Sequence, residues 1–169
     1  SVLVELFNHG LLGQTEDTLV MVGSFAYGSL LNELGLLQIP FRTLDTDFAV
    51  HKNLIGTENP FEQIIKAANP KFIAVPGMPS SEPSTSLKLP GQGALSVDIL
   101  TAGKQLGRVL PVKQIHWHAQ EVPMLDFLIE DAVPVLMLAG GHAIPCRVPS
   151  PERFALHKLY SASQPTRSL

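Results

Sequence analysis

Two rhythms of apolar and polar positions alternate along the chain. Residues 1–15 read as a short helical or loop lead-in. Thr18 to Val22 is a short apolar, β-leaning run that stops at Gly23-Ser24 and predicts a buried strand. From Phe25 to Leu37 the rhythm becomes helical: Ala26, Leu30 and Leu34 recur at spacing four, with Tyr27 and Leu31 beside them, and Gly35 ends the helix. Phe41 to Val50 alternates, placing Leu44, Thr46, Phe48 and Val50 on one face and Asp45, Asp47 and Ala49 on the other. Asn59 to Ala68 predicts a helix with Asn59 as cap and Pro60 at its first position. Lys71 to Val75 predicts a strand, and the stretch 76–93, dense in Pro, Gly and Ser, predicts a loop. Ala94 to Leu100 predicts another strand, with Ser96 and Asp98 opposite Leu95, Val97 and Ile99.

The second half is less regular. Within 101–121 only Val112 to Ala119 suggests a strand, and Met124 to Asp131 fits either a short helix or an extended run. Val133–Ala139 and Ala143–Val148 predict a strand pair around Gly140-Gly141-His142. Ser150-Pro151-Glu152 supplies an N-cap, a proline at the first helical position and an acid in the first turn, so a helix is expected to about Ser163. The order of elements places the chain in the mixed α/β (α+β) class.

Composition narrows the picture. A chain of 169 residues is one domain's worth. It is 45% hydrophobic and only 16% charged, against a usual charged share of about 25%. Disorder and coiled coil are excluded, and two explanations stay open: an apolar surface that meets a partner, a homo-oligomer included, or an excerpt of a longer protein. The opening Ser1 and the run from Gln164 to Leu169 favour an excerpt. A net charge of −3 carries no footprint for duplex nucleic acid, although a smaller local contact stays open. The single cysteine, Cys146, forbids an internal disulfide and suits a reducing compartment, so a cytoplasmic location is expected. No apolar run approaches the roughly 18 residues of a membrane helix.

The candidate chemistry lies in the acids. Asp45 and Asp47, two apart on a strand, point the same way with about 7 Å between Cα atoms, close enough to share one or two cations. Hard oxygen ligands of this kind suit Mg²⁺, which takes one or two carboxylates together with substrate phosphates. Two such ions about 4 Å apart clamp the attacking and leaving oxygens of a phosphoryl displacement. Asp98, in an otherwise apolar strand, completes a cluster if its strand lies beside the first. The same Asp-x-Asp spacing is also the ordinary look of a solvated edge-strand face. Gly23-Ser24, between a strand and a helix, suits anion binding at a helix N-terminus, and equally a plain turn with Ser24 as cap. His116-Trp117-His118 places two imidazoles on one face without further zinc ligands at suitable spacing. Gly140-Gly141-His142 reads as a hairpin turn, Cys146 as an inert core residue and His157 as a packing residue.

Taken in order, Val22-Gly23-Ser24, Arg42-Thr-Leu-Asp45-Thr-Asp47-Phe48 and Val97-Asp98-Ile99-Leu100 resemble the nucleotidyltransferase superfamily of the DNA polymerase-β fold. The likeness is closest to its uncharacterised bacterial branch, related to toxin-type nucleotidyltransferases. The run from Val148 to Leu159 is similar to the helix that follows the catalytic sheet there, and the resemblance spans about residues 18–163.

The resemblance implies a small mixed sheet flanked by helices. Residues 1–149 would form the catalytic domain, and 150–169 the incomplete start of a C-terminal helical region. It implies that Gly23 and Ser24 hold a nucleoside triphosphate at the start of a helix. Asp45, Asp47 and Asp98 would bind Mg²⁺ or Mn²⁺, with Asp98 also activating the acceptor hydroxyl. Arg42 and Lys158 would contact the nucleotide. A nucleoside monophosphate would move from an NTP to an acceptor hydroxyl with release of pyrophosphate. The long gap between Gly-Ser and the first acid suggests a lengthened first helix. The shortened C-terminal region leaves the acceptor open among RNA, protein and a small molecule. Two rivals stand beside this reading: a non-catalytic nucleotide- or protein-binding member of the same fold, and a metal-dependent phosphohydrolase or glycosyltransferase. The latter would leave Gly23-Ser24 and Asp98 unexplained.

Overall fold

The computed structural model describes residues 2–8, 11–12, 19–35, 45–50, 72–76, 81–89, 96–113, 117–139 and 141–164. Its centre is a parallel pair of strands, β2 (Asp45–Val50) and β5 (Ser96–Ala102), in register from Asp45 beside Ser96 to Val50 beside Thr101. β1 (Val20–Val22) lies antiparallel on the free side of β2. The far edge of β5 is divided. Along Ser96–Asp98 it pairs antiparallel with β4 (Ser86–Lys88), which carries β3 (Ile73–Val75) outside it. Along Leu100–Ala102 it pairs parallel with β7 (Trp117–Val122), which carries β6 (Val109–Val112). The result is one mixed seven-stranded sheet, with a separate hairpin of β8 (Val133–Ala139) and β9 (His142–Val148).

Both faces of the sheet are covered, because alternate residues of β1, β2 and β5 are apolar on both sides. Met21, Phe48, Val50, Val97 and Ile99 belong to the larger core with the hairpin, α1 (Val2–Asn8) and the Ala26 and Leu30 side of α2 (Gly23–Glu33). The opposite face buries Val20, Val22 and Ala49 against Leu125, Leu128 and Ile129 of α3 (Leu125–Ile129), with Phe154 of α4 (Pro151–Ser163) packed on them. The acids share this second face, at the rim of its apolar patch.

The strand, helix and hairpin expectations hold, with differences. α2 starts at Gly23, two residues before the expected Phe25, and stops at Glu33, just before the expected Gly35. Leu34 is already exposed, and Gly35 turns the chain at φ +68. Among the described residues the long Gly-Ser-to-acid gap is therefore not taken up by a longer helix. The expected loop 76–93 contains β4, because β5 offers an unpaired edge that outweighs a Ser- and Pro-rich local composition. The single strand expected over 112–119 is two antiparallel strands, β6 and β7. The helix expected over 59–68 lies outside the described residues. Leu136, Leu138, Leu156 and Leu159 are exposed on the hairpin and α4, as the low charge content foreshadows.

Helix α4 begins as its sequence dictates: the Ser150 side chain accepts from the Arg153 N–H, with Pro151 in the first turn. Arg153 fastens the helix to α3. It donates to the Phe127 carbonyl at 2.8 Å, stacks over the Phe127 ring at 4.7 Å, and pairs with Glu130 and Asp131 at 2.9 Å each. Those two acids are largely exposed, so the ion pairs add little and the carbonyl bond with the ring contact carries the latch. Accordingly, Arg153→Ala is expected to lower stability by about 1–3 kcal/mol in urea denaturation. Glu130→Gln is expected to stay within about 0.5 kcal/mol of wild type. An equal loss in both would place the latch in the surface ion pairs instead.

Candidate active site

Strand register alone brings the acids together. In a sheet, residues paired across neighbouring strands project to the same face. Val22, Asp47 and Asp98 are successive partners on β1, β2 and β5, so Asp47 and Asp98 stand side by side on adjacent strands. Asp45 lies two residues before Asp47 on the same face, next to Ser96, whose hydroxyl donates to its Oδ1 at 2.7 Å. That bond uses one carboxylate oxygen and fixes the Asp45 rotamer. Lys88, paired with Ser96, adds an exposed ammonium to the same face.

Gly23 is required where β1 turns into α2. Its φ is +75, in the region glycine favours, and a Cβ there would fall on the Asp47 Oδ2 atom and lie 3.1 Å from its Cγ. The Asp47 carboxylate is thus pressed against the first turn of α2. Ser24, next in that turn, is exposed. The first N–H groups of a helix lack intrahelical acceptors and favour anions, so this end of α2 offers donors beside the acids.

The electrostatics follow from crowding. Burial first, then the charges of Asp98 and Asp45, push the Asp47 pKa up to about 6, while Lys158 opposes them. Neighbouring carboxylates favour a cation, and Asp47 with Asp98 could hold a hard one, Asp45 standing beside them. Among the described residues no group of three or more acidic, histidine or cysteine side chains is placed to hold a metal ion by itself. A cation here would therefore need further oxygens, of the kind substrate phosphates supply.

A cavity of about 150 Å³ opens against this row. Val22, Gly23 and Asp47 form one wall and Phe154, His157 and Lys158 another, over a floor of Leu100, Val122, Leu125 and Leu128. Helix α4 is aimed there by two ring contacts. Tyr27 of α2 stacks on Phe154 at 4.8 Å, nearly parallel, and the Lys158 Nζ sits 5.4 Å over the same ring. His157 points Nε2 at the Pro123 carbonyl, 3.3 Å away. Desolvation, with a smaller push from Lys158, lowers its pKa against that hydrogen bond.

The structure therefore gathers Gly23, Asp45, Asp47, Asp98 and Lys158 on one face, with Ser24 at its edge. Arg42 and His116 lie outside the described residues. Cys146 is fully buried, and burial pushes its thiol up to about 11. Gly141 makes the hairpin turn at φ +80. Sequence reasoning singled out neither Ser96 as a carboxylate partner, nor Lys88, nor the Tyr27–Phe154 stack. Only Ser96 had a visible signal, its period-two relation to Asp98.

The fold is thus a mixed sheet whose adjacent strands carry neighbouring acids beside the start of a helix. The chain belongs to the nucleotidyltransferase family, whose profile matches residues 1–169. Neither comparison with curated proteins nor comparison with solved structures finds a match. Among the described residues, no helix is long and apolar enough to cross a membrane.

Two stability experiments read this geometry. Gly23→Ala is expected to cost more than Gly35→Ala, since both glycines have positive φ but nothing lies within 4 Å of a Cβ at residue 35. The excess should be about 1–3 kcal/mol and should largely vanish in an Asp47→Ala background. An equal cost at the two glycines would mean that Asp47 does not press on residue 23. The second experiment uses pH. Between 3.8 and about 6 the folded chain holds more protons at Asp47 than the unfolded chain does. Metal-free stability should thus fall as pH rises through that window and level off above it. Asp47→Asn is expected to remove this slope and to melt higher than wild type above pH 6 without divalent cation. Parallel pH profiles for the two proteins would contradict it.

Proposed function

We propose that the chain is a divalent-cation-dependent nucleotidyltransferase, using Mg²⁺ or Mn²⁺, that moves a nucleoside monophosphate from an NTP to an acceptor hydroxyl. One observation carries the reading: Gly23 at the N-terminus of α2, Asp47 and Lys158 line one cavity, and Asp98 is the partner of Asp47 on the neighbouring strand. The triphosphate would lie against the α2 N-terminus at Gly23-Ser24 and against Lys158, two positive features on either side of Asp47. Asp47 and Asp98 would hold the cation, with Asp45 standing beside them, and the cation when bound would supply charge neutralisation at the reacting phosphate.

The acceptor oxygen attacks the α-phosphorus. The new bond is acceptor oxygen to α-phosphorus, the bond broken is from α-phosphorus to the bridging oxygen, and pyrophosphate departs. Asp98 would take the hydroxyl proton. Ser96 donates to Asp45 and so fixes that acid beside the pair.

The test is turnover of the four α-labelled NTPs with Mg²⁺ and a panel of acceptors, read as pyrophosphate release and labelled product. Asp47→Asn is expected to reduce kcat at least about 100-fold. Lys158→Ala is expected to raise the NTP KM about tenfold, the loss of one charge-assisted contact. Mg²⁺ should raise the melting temperature of wild type and shift Asp47→Asn less. NTP binding without turnover would leave a non-catalytic nucleotide binder, and NTP hydrolysis with no transfer to any acceptor would favour a phosphohydrolase.

A further inference from the structure

The cavity beside the acids has two unlike ends. At one, Gly23, Asp47 and Lys158 stand together, close enough for the Lys158 charge to be felt at Asp47. The other end is apolar. Leu100 lies two residues beyond Asp98 on the same face of β5, about 7 Å past the acid row. Val122 pairs with Ala102, two residues further on. Leu125 and Leu128 of α3 close over them. His157 belongs to this far end, because its Nε2 faces the carbonyl of Pro123, the residue after Val122.

The far end does not suit phosphate. Charged oxygens buried among leucines would lose hydration without a compensating donor, so the phosphates of a nucleotide belong with Gly23 and Lys158. The part of a nucleotide that suits apolar walls is the base. The cavity limits its size: a dry space of about 150 Å³ lined by aliphatic and aromatic side chains accommodates one six-membered ring. The fused rings of a purine exceed it. Hydrogen bonding is constrained as well. A carbonyl only accepts, so Nε2 of His157 carries the ring proton. Desolvation lowers the pKa of the ring, which is neutral at pH 7, and Nδ1 is left as an acceptor.

We propose that the far end of this cavity takes the base of the donor nucleotide, that it admits a pyrimidine and excludes a purine, and that His157 selects cytosine. The proposal rests on the nucleotidyltransferase reading above and adds the identity of the donor, CTP. Cytosine carries an amino group where uracil carries a carbonyl oxygen. Nδ1 of His157 accepts from the amino group. Against the carbonyl oxygen it would stand acceptor to acceptor, leaving both lone pairs buried and unpaired. Two successive residues of α4 thus divide the nucleotide between them, Lys158 toward the phosphates and His157 toward the base.

The experiment titrates the full chain, with Mg²⁺ at neutral pH, with non-hydrolysable analogues of the four NTPs. Calorimetry gives the affinities and backbone amide shifts locate the base. The CTP analogue should bind about tenfold more tightly than the UTP analogue and at least about 50-fold more tightly than either purine, shifting Leu100, Val122 and Leu128. His157→Gln, whose amide can turn to donate or accept, should bring CTP and UTP within about twofold of each other and keep purines excluded. Leu100→Ala, at a half-buried position, should open the floor and tighten ATP at least about fivefold, a gain that misfolding cannot imitate. Purines bound as tightly as CTP, equal binding of CTP and UTP, a CTP preference that survives His157→Gln, no gain of ATP in Leu100→Ala, or base-dependent shifts away from the cavity floor would each overturn the assignment. Binding of none of the four would instead overturn the reading on which it rests, so the two failures are distinct.

Discussion

The Asp47 carboxylate occupies the space that any side chain at residue 23 would need. This one exclusion ties three parts of the molecule together. It fixes where β1 ends, because the chain must turn at a positive φ. It fixes where α2 begins, and hence where that helix directs its unpaired N–H groups. It also fixes the height of Asp47 above the sheet, since the acid is trapped between the first turn of α2 and its neighbour Asp98. A larger residue at 23 would separate helix and acid, and an acid moved along β2 by one position would point into the larger core beside Phe48. The glycine and the aspartate therefore form one structural unit, although they are far apart in sequence.

That unit is held at a cost in stability. Packing acids on neighbouring strands at the edge of an apolar patch raises the free energy of their ionised forms. The sheet tolerates this because its other face carries the larger core, with Phe48, Val97 and Ile99 buried directly behind the acids. Each strand is thus anchored by its odd or even residues and carries charge on the rest. The α3–α4 pair then covers the apolar part of the charged face and brings in Lys158. Its attachment relies on Arg153 and the Tyr27–Phe154 stack more than on buried area, since no residue of α4 is fully buried.

What could be read from the sequence was whatever depends on short-range periodicity. The alternation in β2 and β5 already places Asp45 with Asp47, and Ser96 with Asp98, on common faces, and Ser150-Pro151 announces α4. The family resemblance supplied the order of the motifs. The adjacency of Asp47 and Asp98 was not readable, because it depends on which strands pair and in which register. The same holds for β4: Ser86, Leu87 and Lys88 have little strand character alone, and only the open edge of β5 makes them a strand. The β6–β7 pair was missed because the 101–121 stretch follows no single rhythm. Tyr27 and Phe154 meet only after two helices have docked, so no local pattern announces their contact.

The order of the elements along the chain also bears on how the site comes into being. β1, α2, β2 and β5 carry all three acids and the glycine, and all are synthesised well before α4. During synthesis from the N-terminus, the three acids and the glycine are made before Lys158, Phe154 and the α3–α4 cover. At that stage the apolar patch of Val20, Val22, Ala49 and Leu100 faces water beside a cluster of negative charge. The charge keeps one edge of that patch hydrated and discourages a second chain from docking on it. The carboxylates that burden the finished fold thus guard the unfinished one.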